Sequence, residues 1–168
     1  KHDVIAFLTH ISEKVGSDEA RYLHYGLTSS DLLDTSFALL LRDAADMILE
    51  GLDELRSILK EKAFRYKDLV CMGRSHGIHA EPTSFGLKFA LWYAEMTRNI
   101  ERVQAARDMI SVGKFSGAVG NFAYLAPHIE EKICLKLGLK AAPISTQVIQ
   151  RDRHAQYFST LAIAAGSM

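Results

Sequence analysis

Apolar side chains recur along most of this chain every three or four residues, which is the spacing of helices that bury one face. The longest such run extends from Leu32 to Leu59. Because Thr28 or Ser29 is a suitable N-terminal cap, the pattern predicts a helix that continues to about Tyr66 and is about 55 Å long. A helix of this length is normally buried only in an extended bundle or coiled coil.

The same spacing predicts four shorter helices, at residues 4–15, 83–110 and 127–138 and from residue 151 onward. Gly16 is a suitable C-terminal cap for the first, and Pro82 suits the first position of the second. The segments between helices are predicted to be links or irregular structure, at residues 69–72, 113–120 and 141–150. Because no segment alternates as strand, helix and strand, the predicted fold class is all-α.

Composition and charge narrow the classes of function. The 168 residues are long enough for one domain with a substantial core. Twenty basic and 20 acidic side chains cancel, which argues against broad attraction to nucleic acid or to an anionic membrane. No apolar run reaches the roughly 18 residues of a membrane span. Cys71 and Cys134 form neither a disulfide framework nor a C-x-x-C pair, so we expect a cytoplasmic protein.

Two segments combine histidines, glycines and small hydroxyls ahead of long helical patterns. They are His24-Tyr25-Gly26-Leu27-Thr28-Ser29-Ser30-Asp31 and the stretch from Gly73 to Thr83, which contains Ser75-His76-Gly77. The first N–H groups of a helix lack intrahelical partners and therefore attract anions. A histidine carries a proton in either direction near neutral pH. Together these features predict acid–base chemistry on a multiply charged anion.

Other candidate motifs are weaker. The loop from Gly113 to Gly120 fails the P-loop pattern, because Asp108 and Phe115 occupy two of its required positions. A tight turn that packs closely on a helix is the favoured interpretation. His76 and His79 have the spacing of a ligand pair, but no third ligand stands at zinc-site spacing. The sequence therefore predicts no metal.

Four segments resemble the adenylosuccinate lyase family of the fumarase/aspartase superfamily, in the family's order. They are Lys1 to Phe7, His24 to Asp31 with Asp34-Thr35, Gly73 to Thr83, and Thr146 to His154. The resemblance implies a long-helix bundle, with residues 1–25 ending an N-terminal helical domain and residues 26–168 forming part of an incomplete central domain. It also implies cleavage of adenylosuccinate to AMP and fumarate, and of the succinylated aminoimidazole carboxamide ribotide of purine biosynthesis.

The resemblance also implies a role for individual residues. His76 corresponds to the general acid that protonates the departing nitrogen. Ser75 corresponds to a substrate-binding position at which the family usually has threonine. His24 corresponds to a supporting histidine. The remaining matches are substrate-binding positions: Lys1, His2 and Asp3 near the nucleotide phosphate, Thr28 and Ser29 at the succinyl carboxylates, and Gln147. Such an elimination needs neither a redox cofactor nor a metal.

The family's catalytic base is a serine in the motif Ser-Ser-x-Met-Pro-x-Lys-x-Asn, which does not occur in this chain. The resemblance further implies a homotetramer whose active sites are shared between subunits. We therefore expect the chain to be an excerpt of a longer enzyme and to be inactive alone.

Two alternatives stay open at this point. The first is another superfamily lyase or a carboxymuconate cycloisomerase, against which the segments from Lys1 and from Thr146 argue. The second is a helical assembly domain without catalytic activity.

Overall fold

The computed structural model describes residues 2–16 and 18–167. The helices are α1 (Asp3–Val15), a short 3-10 helix (Asp18–Tyr22), α2 (Ser29–Arg65), α3 (Phe85–Ile110), α4 (Pro127–Lys136) and α5 (Asp152–Gly166). The strands are β1 (Val70–Ser75), β2 (Ile78–Ser84), β3 (Val112–Gly113) and β4 (Lys140–Ala141). The fold is thus mostly helical, as predicted, with short strands that the sequence interpretation lacked.

The chain divides into two compact units. The first unit combines the chain up to Leu41 with Ser111–Arg151, and the second combines Arg42–Ile110 with the chain from Asp152. Helix α2 contributes to both. Within the described part of the chain, no helix is both long and apolar enough to cross a membrane.

The predicted ends of α1 and α2 are confirmed. Gly16 follows α1 with φ of 58°, and its N–H donates to the Ser12 carbonyl at 3.0 Å. Helix α2 begins at Ser29, directly after Thr28, and ends one residue before Tyr66. Its length depends on a continuous apolar stripe, because isolated helices are marginally stable in water.

Two predictions were wrong: that residues 69–72 form a link, and that Pro82 stands at the start of a helix. Strands β1 and β2 form an antiparallel hairpin in which Pro82 pairs with Met72. The register shifts between Met72 and Arg74, and such an irregularity is where a sheet tolerates a proline. Helix α3 therefore begins at Phe85, two residues later than predicted.

The core of the first unit lies under the glycine-rich loop. Phe115, Cys134 and Leu139 form a buried cluster, and β3 pairs with β4 in parallel beside it. A Cβ on Gly113 would lie 3.0 Å from Cys134 Sγ and 3.1 Å from a methyl of Thr35 in α2. The start of this segment thus packs tightly on a helix, as predicted, but Gly113 lies in β3 rather than in a turn.

The core of the second unit is built mainly where α3 packs against α5. Val103 and Ala106 of α3, and Tyr157 and Ala164 of α5, are all buried. At its start, α3 also packs on the end of α2, where an added Cβ on Gly86 would collide with backbone atoms.

Candidate active site

Thr28 and Ser29 lie at the N-terminus of α2, as the sequence predicted. Both are partly buried. The Thr28 N–H donates to Asp31 Oδ2 at 2.9 Å, and the Asp31 N–H donates to the Thr28 carbonyl at 3.0 Å. The first of these bonds is one half of a capping box, in which the side chain at the third helical position accepts the N–H of the capping residue, with Asp31 in the place of the usual Glu or Gln. It fixes the two hydroxyl-bearing residues beside the first N–H groups of the helix.

His24 lies in the turn between the 3-10 helix and α2. Its backbone is left-handed, with φ of 67°, a conformation that is uncommon for a residue other than glycine. Its Nε2 atom is buried and finds no hydrogen-bond partner among residues 2–16 and 18–167. A buried polar atom in this state costs about 1–3 kcal/mol, so a further hydrogen bond at this atom would stabilise the turn.

Gln147 lies in the irregular segment before α5, and its side chain is exposed. This segment is tied to α2 through Asp34. The Ile149 N–H donates to Asp34 Oδ2 at 2.8 Å, and Arg151 Nη2 donates to Asp34 Oδ1 at 2.9 Å. The first unit therefore brings the segment of Gln147 and the segment of Thr28 to the same helix.

A buried ion pair joins Lys114 of the glycine-rich loop to Asp31 of α2, and both side chains are fully buried. The Lys114 ammonium also donates to the carbonyls of Gly117 at 3.2 Å and Gln147 at 3.1 Å. Sequence reasoning missed Lys114 because it matches no motif. Only its contact with Asp31, 83 residues away in sequence, shows its importance.

Glu130 of α4 is a third buried carboxylate in the first unit, after Asp31 and Asp34. Burial raises its pKa, while the N–H that Phe115 donates to it at 2.6 Å, and then the charge of Lys114, act in the opposite direction. The charge of Lys114 therefore acts on Glu130 as well as on Asp31.

Ser75 and His76 belong to the second unit, at the tip of the hairpin. Ser75 pairs with Ile78, so His76 and Gly77 form a two-residue turn. Both have positive φ, 52° and 75°, as a type I′ turn requires. The side chains of Ser75 and His76 are exposed, so the hairpin presents the histidine to whatever occupies the space beyond its tip.

His2 and Asp3 lie at the start of α1 and are exposed. His2 Nδ1 lies 3.0 Å from Asp3 Oδ1, and Asp3 also accepts the Val4 N–H at 2.8 Å. Lys1 lies outside the described residues. The first unit therefore holds His2, Asp3, His24, Thr28, Ser29 and Gln147, and the second holds Ser75 and His76.

Comparison with known proteins matches residues 2–168 to a protein family described as lyase. The chain belongs to this lyase family. It is 55% identical over 168 residues to the adenylosuccinate lyase of Bacillus subtilis (strain 168), and 51% identical over 168 residues to that of Staphylococcus saprophyticus. It is 54% identical over 167 residues to that of Thermotoga maritima. The resemblance that the four motifs indicated is confirmed.

These matches include 99–100% of this lyase-family chain but only 38–39% of the length of each of the three relatives. Solved structures agree on the fold. A fumarate lyase from Mesorhizobium sp. BNC1 has a TM-score of 0.89 at 29% identity, covering 98% of this chain and 39% of that one. A 3-carboxy-cis,cis-muconate lactonizing enzyme from Pseudomonas putida has a TM-score of 0.84 at 33% identity, over 95% and 37%.

Proposed function

We propose that the whole protein carrying this chain is an adenylosuccinate lyase. It cleaves adenylosuccinate to AMP and fumarate, and the succinylated aminoimidazole carboxamide ribotide to its amide and fumarate, in purine biosynthesis. The observation that carries the proposal is the 51–55% identity to three adenylosuccinate lyases along essentially the entire chain. The structural relatives with other names are only 29–33% identical.

The proposed reaction is a β-elimination. A base removes a proton from the carbon beside one carboxylate, and the electrons of that C–H bond become the new C=C bond of fumarate. The C–N bond breaks with its electron pair going to nitrogen, which takes a proton from His76. The base belongs to a part of the enzyme beyond this chain, so the chain alone is expected to be inactive.

The first unit supports a carboxylate-binding role for Thr28 and Ser29. Negative charge develops on the carboxylate beside the deprotonated carbon, and fixed donors are most effective where charge develops. Two hydroxyls and the N-terminal N–H groups of α2 are such donors, and the capping bond to Asp31 holds them in place. His24, whose Nε2 is buried without a hydrogen-bond partner among residues 2–16 and 18–167, is assigned as the histidine that supports this site. Gln147, His2, Asp3 and Lys1 complete the proposed substrate contacts.

The second unit supports the assignment of His76 as general acid. The positive φ of His76 belongs to the type I′ turn that it forms with Gly77. The tight turn places the imidazole at the most extended point of the hairpin, with Ser75 beside it. An exposed imidazole on a rigid turn can reach a substrate that is bound elsewhere in the assembled enzyme.

The proposal extends to assembly and location. Large apolar side chains of α2 and α3 remain exposed in the described chain, among them Leu40, Met47, Phe64, Leu87 and Leu91. Stripes of this kind mark surfaces that other helices cover, which supports a homotetramer with shared active sites. We place residues 26–168 in its central bundle, residues 1–25 at the end of the preceding domain, and the enzyme in the cytoplasm.

The test measures fumarate release by the whole protein from adenylosuccinate and from argininosuccinate, and in parallel the lactonisation of 3-carboxy-cis,cis-muconate, each followed by absorbance. We expect release from adenylosuccinate at a kcat/KM far above the other two. Preference for another substrate would replace the proposed reaction with that of the matching superfamily enzyme. A well-folded protein that acts on none of them would support the non-catalytic alternative.

A further inference from the structure

Lys114 is a charged side chain with no exposed surface, so its position must be fixed by its partners. An ammonium has three donors and no acceptor. The three partners here are the Asp31 carboxylate, the Gly117 carbonyl and the Gln147 carbonyl. Every donor of the ammonium is therefore used. One bond stays within the glycine-rich loop, and the other two reach α2 and the segment before α5.

The backbone of Lys114 is fixed as well. Thr35 Oγ1 accepts the Lys114 N–H at 3.1 Å and donates to the Lys114 carbonyl at 3.2 Å, and both bonds are buried. Lys114 is thus attached to α2 through Thr35 at its backbone and through Asp31 at its ammonium. Asp31 in turn accepts the Thr28 N–H. A continuous chain of bonds therefore runs from Thr28 through Asp31 and Lys114 to Gln147.

The ion pair also has an electrostatic consequence. Asp31 is a buried carboxylate three residues from Thr28, and an unpaired buried charge acts through a medium of low dielectric. Without Lys114, this carboxylate would repel any anion at the N-terminus of α2. With Lys114 bonded to it, the pair is neutral and the helix terminus keeps its attraction for a carboxylate.

We propose that Lys114 is a positioning residue of the active site. It holds the Thr28–Ser29 segment and the Gln147 segment at a fixed separation, and it neutralises Asp31 behind them, without touching substrate itself. The assignment rests on the proposed function for the identity of the substrate. The bond to the Gln147 carbonyl distinguishes this role from that of an ion pair that stabilises only the core, because it reaches a segment of the proposed site.

The first experiment measures hydrogen–deuterium exchange in the whole protein without substrate. It compares wild type with Lys114→Met, which keeps the volume and removes the charge. Lys136→Met, at the exposed end of α4, is the matched control. We expect Lys114→Met to speed exchange of the Thr28 amide and of residues 146–149 by more than tenfold. Exchange in α3 should not change, and Lys136→Met should match wild type.

The double variant Lys114→Met/Asp31→Asn covers the case in which the single variant fails to fold. Removing both charges of a buried pair is often tolerated, whereas removing one leaves an unpaired charge. The double variant still lacks the bond to the Gln147 carbonyl. Faster exchange of residues 146–149 is therefore expected in it too, and unchanged exchange in both segments would overturn the proposal.

The second experiment measures kcat and KM for adenylosuccinate. A misplacement of about 1 Å costs roughly 100-fold in rate, so we expect kcat/KM of the double variant to fall by about this factor at unchanged secondary structure. Adding Thr28→Ala to the double variant should lower kcat/KM by a smaller factor than the same substitution does in wild type, because the effects of residues that act through one another do not add.

If the effects of the double variant and of Thr28→Ala on kcat/KM are fully additive, Lys114 is only structural. The same conclusion would follow if kcat/KM of the double variant stays within threefold of wild type. A wild-type protein that does not cleave adenylosuccinate, but shows the expected exchange pattern, would refute the proposed function and leave the positioning of the two segments established.

Discussion

The substitution His76→Asn separates the chemistry of the hairpin tip from its folding. His76 has φ of 52° and is followed by Gly77 with φ of 75°. Asn-Gly is the preferred pair for this turn, so the new residue suits the backbone at least as well as histidine. Because the His76 side chain is exposed, its replacement removes no core contact.

The two expected effects differ greatly in size. The left-handed conformation costs a typical residue about 1–2 kcal/mol, and asparagine adopts it more easily than most. We therefore expect the free energy of unfolding to stay the same or to rise by less than about 1 kcal/mol. Loss of a general acid lowers the rate by about 10²- to 10⁴-fold, which is about 3–5 kcal/mol at about 1.36 kcal/mol per tenfold.

The assay is fumarate release by the whole protein, measured beside thermal unfolding of the same samples. His10→Asn is the matched control, because His10 is also exposed but lies on α1. It should match wild type in both measurements. A fall in thermal stability that parallels the fall in activity would refute the reasoning, since it would show that His76 supports the fold. Activity within threefold of wild type would show that another group protonates the nitrogen.

Three further predictions concern the core of the first unit. Gly113→Ala would add a Cβ 3.0 Å from Cys134 Sγ, so chemical denaturation should show a loss of about 1–3 kcal/mol; an unchanged midpoint would mean that the loop moves freely. Burial raises the pKa of the Glu130 carboxyl above its ordinary value of 4.5, so the folded state binds this proton more tightly than the unfolded state does. Its contribution to stability is then present at low pH and lost as pH rises through the raised pKa. Unfolding of wild type and Glu130→Gln should show wild type losing stability relative to the variant as pH rises above about 4.5, and a constant difference would contradict this. Burial raises the pKa of the Cys134 thiol to about 11, so iodoacetamide at pH 8 should label the partly exposed Cys71 first, as read by peptide mass spectrometry; equal labelling of both would contradict this.

The helices were predictable because each has a local signal. Helix α2 has a capping residue, an acid in its first turn and an apolar stripe, and these agree with the structure to within about one residue. The start of α4 at Pro127 was equally clear. Signals of this kind lie within a few residues of the feature that they determine, so a single sequence is sufficient to find them.

The hairpin was missed because its strands carry no clean alternation of apolar and polar residues. Its turn is His76-Gly77 rather than Asn-Gly, and Pro82 suggested a helix start where the structure has a strand. Gly77 directly after the polar His76 was the one local signal of a hairpin turn in this stretch. Lys114 offered none, because its importance depends on Asp31, which only the folded chain brings near. The motifs located the candidate site residues, but not the buried ion pair behind them.

The first unit is assembled from two stretches of chain, and residues 42–110 lie between them in the sequence. During synthesis, the bond between Asp31 and Lys114 cannot form until the second stretch has left the ribosome. The hairpin, by contrast, closes over a few residues and can form within microseconds. The proposed acid at the hairpin tip is thus in place early, whereas the proposed carboxylate-binding segment stays unsupported until Lys114 has left the ribosome. Chaperones that bind exposed chain would have their longest opportunity in that interval.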